Sequence, residues 1–237
     1  MPSLTILAGP NGAGKSRNTD FLLAENLLPS FPVDLDLLVA QALNDLPYSF
    51  YGADIRLAKS VDKLFYSYCM KAIKAGLDFC YECNFRKDQL KYVGLFEEAN
   101  YSLNLVFFLL NNTEQSAQRV SFRVNQQNGR NVDFESIQEN FKQGLSNLDN
   151  HFQDFHRVLI IDGSQDDYTN IGHTLNVQLE IEGSKVTCFN KDFPSKEHRL
   201  FLPKISALVE RSVQVQKTTS ILNQMDIKKN KDKGLSM

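Results

Sequence analysis

The sequence predicts an α/β protein: a parallel sheet flanked by helices on both faces, followed by a small C-terminal extension of one hairpin and one helix. Apolar runs of strand length alternate with helical patterns over roughly the first two thirds of the chain. Such continuous runs are typical of strands buried on both faces of a parallel sheet, and they lie at 4–7, 79–83, 103–110 and 157–162. Two later segments, 175–181 and 185–189, instead alternate in polarity around Glu182-Gly183-Ser184, which predicts an antiparallel hairpin.

Helical patterns fill the intervals between these strands. The spacing of apolar residues predicts helices over 18–28, 37–46, 52–75, 87–98, 113–126, 134–148 and 202–215, with a short strand near Val33. We therefore expect a core at residues 1–165 and an extension at 166–215 that packs on it. Residues 216–237 carry many lysines and few apolar side chains, which predicts a flexible tail.

A glycine-rich loop joins the first strand to the first helix. It reads Gly9-Pro10-Asn11-Gly12-Ala13-Gly14-Lys15-Ser16, the phosphate-binding motif of nucleotide triphosphatases and kinases. Glycines allow bends that turn backbone N–H groups toward an anion, and the next helix adds its positive N-terminal end. Lys15 can reach the β- and γ-phosphates, and the Ser16 hydroxyl can ligate Mg²⁺. The loop predicts a P-loop NTPase fold with these nucleotide-binding residues: Gly9, Asn11, Gly12, Ala13, Gly14, Lys15 and Ser16.

Composition restricts the partners of this fold. The chain has 237 residues and a net charge of −2, so no global basic field favours nucleic acid as a partner. No basic segment precedes an apolar one at the N-terminus, and no run is long enough to span a bilayer, so we expect a cytoplasmic protein without a membrane partner. Cys80-x-x-Cys83 lacks a second pair and lies in a strand-like run, which favours buried, reduced thiols over a zinc or redox site.

The remaining motifs separate the functions that share a phosphate loop. Asn190-Lys191-Asp192 and Asn230-Lys231-Asp232 place the acid one residue too early for guanine recognition. The apolar strand at 103–110 ends in Asn111-Asn112, whereas a motor ATPase usually has adjacent acids there. Transfer of the γ-phosphate of ATP to a small acceptor is the reaction that remains.

Three segments after the loop resemble, in order, those of the zeta toxin family of small-molecule kinases. Pro32-Val-Asp-Leu-Asp36 is similar to the family's short strand whose final acid deprotonates the acceptor hydroxyl. Phe79–Arg86 looks like the strand that ends in Glu and continues into substrate-contacting residues. The family's arginine-rich helix, glycine turn and closing helix correspond to segments at 119–124, 128–132 and 144–148. The resemblance covers about residues 4–165.

Two departures from the family pattern fall in the segments for the acceptor pocket and the lid. A Thr often follows the strand-end Glu, and Cys83 or Asn84 stands there in this chain. The common Gly-Gly-His turn is Asn128-Gly129-Arg130.

The resemblance and the chemistry of the side chains together assign roles. Asp36 is the expected general base, although an acid after a strand also serves as a helix N-cap. Glu82 needs a polar partner at the end of an apolar strand, either the acceptor or an arginine. Arginines four apart share a helix face and could clamp the phosphates or form a solvated basic face. The candidates are Lys15, Asp36, Arg119 and Arg130 for catalysis, Arg123 for the nucleotide, Glu82, Asn84 and Arg86 for the acceptor, and Ser16 for the metal.

The sequence thus predicts an ATP- and Mg²⁺-dependent kinase acting on a small-molecule hydroxyl. The resemblance implies UDP-N-acetylglucosamine as the acceptor and a separate antitoxin protein that covers the nucleotide site. Two alternatives stay open. One is a kinase for a nucleoside, a sugar or a polynucleotide end. The other is a nucleotide-dependent binding module without kinase activity, which would tolerate the loss of Asp36.

Overall fold

The fold is taken from a computed structural model, which describes residues 1–35, 37–38, 53–126, 132–164 and 175–233. The strands are β1 (Ser3–Ala8), β2 (Val33–Asp34), β3 (Phe79–Cys83), β4 (Ser102–Leu109), β5 (Arg157–Asp162), β6 (Val177–Glu182) and β7 (Lys185–Phe189). The helices are α1 (Thr19–Ala24), α2 (Ala53–Ala75), α3 (Lys87–Glu98), α4 (Thr113–Asn125), α5 (Phe134–His151), α6 (Lys196–Phe201) and α7 (Pro203–Lys233), with a 3₁₀ turn at Phe152–Asp154.

The described strands form one seven-stranded mixed sheet in the order β2-β3-β1-β4-β5-β6-β7. The first five are parallel neighbours, and β6 and β7 continue the same sheet as antiparallel strands. Ala8, at the end of β1, is level with Cys83 of β3 and with Phe107 of β4. The phosphate loop therefore leaves the sheet between the carboxyl ends of two neighbouring strands, which is where open α/β sheets bind ligands. The predicted fold class, including the hairpin, is confirmed.

The core sits between the central strands and the flanking helices. Leu4, Ile6 and Leu7 of β1 are fully buried. Phe65 of α2 packs edge-on against Tyr92 of α3, with ring centroids 4.6 Å apart. Burial of each such side chain contributes about 1.5–3 kcal/mol, so the apolar runs in the sequence are enough to fix the central strands.

Element boundaries differ from prediction mainly at helix ends. Helix α1 ends at Ala24 rather than at Leu28, because Asn26 takes a left-handed conformation with φ 55°. Most of the helix predicted over 37–46 lies outside the described residues. Helix α7 continues past the predicted end at Val215 to Lys233, through a range that contains neither proline nor glycine.

The C-terminal elements pack on α5. The ring of Phe201 in α6 meets Phe141 of α5 edge-on, with centroids 6.1 Å apart. His198 Nε2 lies 3.1 Å from the carbonyl oxygen of Leu110, directly after β4, so α6 reaches the edge of the sheet that carries the phosphate loop. Within the part of the chain described, we find no helix with the length and apolar character needed to cross a membrane.

Candidate active site

The phosphate loop adopts a conformation that depends on its glycines. Gly9, Gly12 and Gly14 have φ values of 139°, 75° and 89°. A Cβ at Gly9 would also lie 2.4 Å from the backbone oxygen of Phe108. The loop is thus pressed against β4 at its start, and only glycine fits there.

Lys15 is buried beside the start of its own loop. Its ammonium donates to the carbonyl oxygens of Gly9 at 2.8 Å and Pro10 at 3.3 Å. The carboxylate of Glu82 lies 3.9 Å from the same nitrogen. The lysine expected to contact phosphate is therefore held within the loop, with a carboxylate nearby.

Glu82 brings β3 into contact with the loop. The Ser16 hydroxyl donates to Oε1 at 3.0 Å and to Oε2 at 3.1 Å of this carboxylate, which is 8% exposed. The predicted metal ligand and the predicted acceptor residue thus meet directly. Hydroxyl and carboxylate oxygens are the ligands that Mg²⁺ prefers, so the donor set suits that ion. Among the described residues, no group of three or more His, Cys, Asp or Glu side chains could hold a metal ion.

The segment that follows β2, the strand beside β3, contains the predicted general base. Asp34 is level with Glu82 across the β2–β3 pair, and its carboxylate accepts from the backbone N–H of Leu37 at 3.0 Å. Asp34 therefore holds the turn after β2. Asp36, the predicted base, lies outside the described residues.

Asn84 and Arg86 follow directly after β3, at the same edge of the sheet as Glu82. Asn84 is buried, and Phe85 between the two has a left-handed backbone with φ 62°, an uncommon conformation for a bulky residue. Asn147 of α5 donates to the carbonyl oxygen of Phe85 at 2.9 Å and holds this bend. The Nε group of Arg86 is buried and has no hydrogen-bond partner among the described residues.

Arg119 of α4 contacts backbone carbonyls around the loop. Its guanidinium donates to Gly12 at 3.1 Å, to Ser164 at 2.8 Å and also to Gly163. Arg123 lies one turn further along α4 with an exposed side chain. Arg130, together with Asn128 and Gly129 of the predicted lid, falls outside the described residues. The structure thus joins one predicted arginine to the loop itself.

Two site residues have no distinctive signal in the sequence. The hydroxyl of Ser116, fully buried on α4, donates to the carbonyl oxygen of Asn11 at 2.5 Å. Asn140, on α5, donates to the side-chain oxygen of Asn11 at 2.9 Å. Ser116 stands one turn before Arg119, and that spacing from a predicted arginine is the single hint in the sequence.

Cys80 and Cys83 of β3 and Asp162 at the end of β5 have structural rather than catalytic contacts. Cys80 and Cys83 are both buried thiols, as predicted, and are not joined in a disulfide. Burial raises the pKa of Cys80 strongly, and the nearby Glu82 and Cys83 add to that rise.

Asp162 accepts from the backbone N–H of Ser164 at 2.8 Å and from Asn176 at 3.1 Å, so it stabilises the turn after β5.

Strand order, phosphate loop and strand-end carboxylate together define a protein with a P-loop kinase-like fold. The zeta toxin family profile matches residues 53–172, just over half of the chain. The chain belongs to the zeta toxin family. The match begins after the phosphate loop and includes β3, the arginines of α4 and all of α5.

Solved structures show the same fold at low sequence identity. The PezAT chromosomal toxin-antitoxin system of Streptococcus pneumoniae aligns with a TM-score of 0.50 and 16% identity, over 89% of this chain and 88% of that one. AvrRxo1-ORF1:ORF2 with ATP aligns with a TM-score of 0.58 and 14% identity, over 84% of this chain. Our chain spans only 64% of that protein's chain. No curated protein matches the sequence.

Proposed function

We propose that this protein is a kinase that transfers the γ-phosphate of ATP to a hydroxyl of a small molecule. The observation that carries the proposal is the contact between Ser16 and Glu82. It joins the phosphate loop to the strand end where the zeta toxin resemblance places the acceptor. A carboxylate beside the phosphate-loop serine suits Mg²⁺ in P-loop proteins generally, so it is the zeta toxin resemblance that favours transfer to an acceptor over nucleotide binding alone.

The residues divide the work of phosphoryl transfer. Asp36 takes the proton of the acceptor hydroxyl, whose oxygen then bonds to the γ-phosphorus as the bond to ADP breaks. Lys15, Arg123 and Arg130 neutralise the charge that develops on the phosphoryl oxygens. Ser16 would hold Mg²⁺, which supplies further charge neutralisation when bound. Glu82, Asn84 and Arg86 contact the acceptor.

We propose UDP-N-acetylglucosamine as that acceptor, following the zeta toxin family resemblance. A separate antitoxin protein would then cover the nucleotide site in the cytoplasm. Support for such a partner comes from the description of PezAT as a toxin-antitoxin system.

Acceptor-dependent ADP release tests the proposal. The purified chain receives ATP and Mg²⁺ with UDP-N-acetylglucosamine, and in a second series with a pooled metabolite extract. We expect turnover with the sugar nucleotide, reduced about 1,000-fold or more in Asp36→Asn because the base is lost. Asn150→Ala, on the exposed side of α5, is the matched control and should keep full activity.

The outcomes separate the alternatives. Turnover only with the extract would keep the kinase and reject the acceptor. ADP release that needs no acceptor and survives Asp36→Asn would reject the kinase and leave a nucleotide-dependent binding module.

A further inference from the structure

We infer that Arg119 and Ser116 are positioning residues, which act on the nucleotide through the backbone of the phosphate loop rather than by touching its phosphates. Asn140 supports them from α5. We call Ser116, Arg119 and Asn140 the loop anchor. The inference deepens the proposed function and rests on its nucleotide site.

The first observation is how the guanidinium of Arg119 is used. It donates to the carbonyl oxygens of Gly12, Gly163 and Ser164, with one nitrogen shared between the first two. Guanidinium has five N–H donors in a fixed plane, so a group bound to three carbonyls has a set orientation. Gln115, one turn before Arg119, also donates to the carbonyl oxygen of Ser164 at 2.8 Å. Helix α4 therefore ties the phosphate loop to the turn after β5.

The second observation is that Asn11 is held at two atoms. Its carbonyl oxygen accepts from the Ser116 hydroxyl at 2.5 Å, and its side-chain oxygen accepts from Asn140 at 2.9 Å. Ser116 and Asn140 are both buried. A buried hydrogen bond leaves a costly unpaired group when one partner is removed, so these contacts restrain the loop strongly.

The direction of these bonds decides what the loop presents to a ligand. In a trans peptide, the C=O and the N–H of the next residue point in opposite directions. The carbonyls of Asn11 and Gly12 face α4, so the N–H groups of Gly12 and Ala13 face away from it. The Ala13 N–H donates to the carbonyl oxygen of Pro10 at 3.2 Å, across the loop. The Ala13 amide thus closes the loop on itself, and the anchor leaves the Gly12 amide directed away from α4, where a phosphate can accept from it.

Packing leaves little room for a different loop position. A Cβ at Gly12 would lie 3.0 Å from the Cβ of Arg119. A Cβ at Gly163 would lie 2.4 Å from the backbone oxygen of Ala13. Both glycines therefore allow the loop, α4 and the β5 turn to meet backbone to backbone, and the anchor spans that junction.

A positioning role and a phosphate clamp predict different binding data. A clamp on the γ-phosphate would favour ATP over ADP, and lysine would replace arginine in part because the charge is kept. A positioning residue affects every ligand that uses the loop amides, so ATP and ADP should weaken by the same factor. Lysine should then fail, because a single ammonium cannot span three carbonyls.

Calorimetric titration of ADP and of a non-hydrolysable ATP analogue tests the inference on the full chain. We expect Arg119→Gln and Arg119→Lys to weaken both ligands about 10-fold, and Ser116→Ala about 3-fold. The double variant Ser116→Ala, Arg119→Gln should lose less affinity than the product of the two single fold-losses, since both residues hold the same peptide segment. Gln118→Ala, an exposed neighbour on α4, should bind like the wild type. Thermal unfolding of each variant shows whether the fold is intact.

Several results would overturn the inference. They are wild-type affinity in Arg119→Lys, a loss of affinity confined to the ATP analogue, unchanged affinity in Ser116→Ala, and affinity losses in the double variant that equal the product of the two single losses. Because the readout is ADP affinity, it is independent of acceptor turnover. If the anchor variants bind ADP more weakly but the wild-type chain shows no acceptor-dependent turnover, the loop anchor is supported and the kinase is rejected. If the variants bind ADP as the wild type does and the wild-type chain shows that turnover, the loop anchor is rejected and the kinase is supported.

Discussion

The hydroxyl of Ser16 donates to both carboxylate oxygens of Glu82, at 3.0 and 3.1 Å, across the junction between the phosphate loop and β3. Glu82 is buried in a strand whose other residues are apolar or aromatic. The desolvation of this carboxylate is offset by the Ser16 hydroxyl and by Lys15, whose ammonium lies 3.9 Å away. Removing the charge should therefore affect ion binding and turnover more than folding.

For Glu82→Gln we expect a loss of acceptor-dependent turnover of about 100-fold or more, because the carboxylate beside Ser16 that would help to hold Mg²⁺ is lost. ADP affinity in EDTA should change by less than about 3-fold, since the loop amides and Lys15 remain. The gain in ADP affinity on adding Mg²⁺ should shrink. Titration of ADP with and without Mg²⁺ measures both quantities.

Glu97→Gln is the matched control, because it removes a carboxylate that is exposed at the end of α3. It should keep the wild-type Mg²⁺ effect and turnover. A Glu82→Gln variant that also kept both would show that the carboxylate serves only to fasten Ser16.

The sequence identifies the parts of the site that depend on local chemistry. The phosphate loop can be predicted because its glycines, Lys15 and Ser16 form a contiguous motif. Glu82 stands out because it is a charged residue in an apolar strand. Parallel strands also bring their carboxyl ends to one edge, so the neighbourhood of the loop and Glu82 follows from the fold class.

The remaining features depend on contacts between distant segments. Arg119 is recognisable as a candidate, but its partners are backbone carbonyls at 12, 163 and 164, which carry no side-chain signal. Ser116 and Asn140 are ordinary polar residues until the fold brings them to Asn11. The addition of the hairpin to the edge of the parallel sheet, rather than as a separate layer, likewise depends on pairing between β5 and β6.

Two helical glycines should respond to alanine in opposite directions. A Cβ at Gly144 in α5 would lie 2.8 Å from the backbone oxygen of Asn84, whereas a Cβ at Gly94 in α3 has no neighbour within 4 Å. We expect Gly144→Ala to lower the free energy of unfolding by about 1–3 kcal/mol, because α5 must move away from the end of β3. Gly94→Ala should raise it by about 0.5–1 kcal/mol through helix propensity.

Urea unfolding followed by circular dichroism measures both glycine variants. Equal effects would mean that α5 does not press on Asn84. Since Asn84 is one of the residues proposed to contact the acceptor, Gly144→Ala should also impair turnover more than it impairs ADP binding.

The four cysteines should differ sharply in reactivity. Cys188 is exposed, whereas Cys69, Cys80 and Cys83 are buried. Burial raises the pKa of Cys69 to about 12 and that of Cys80 further, so little thiolate forms at neutral pH. We expect iodoacetamide at pH 8 to modify the native chain once, at Cys188, and the urea-unfolded chain four times. Peptide mass mapping identifies the alkylated cysteines. Rapid labelling of Cys80 or Cys83 in the native chain would instead indicate a reactive pair.

The carboxylate of Asp149 in α5 holds the first turn of α7. It is 4% exposed and accepts from the backbone N–H groups of Lys204 and Ile205, each at 2.9 Å. These N–H groups have no partner within their own helix, and a carboxylate also suits the positive end of a helix. The C-terminal helix is thereby fastened to α5, which also carries Asn140.

For Asp149→Ala we expect a loss of about 2 kcal/mol in the free energy of unfolding, because buried N–H groups lose a charged acceptor. Asp149→Asn keeps one oxygen acceptor and should lose about half as much. The control is Asn150→Ala, whose exposed side chain is hydrogen-bonded to the Lys204 ammonium and the Ser146 hydroxyl, with an expected change within about 0.5 kcal/mol. Urea unfolding of the three variants gives the comparison. Equal stability of Asp149→Ala and Asn150→Ala would mean that α7 is held by its apolar contacts alone.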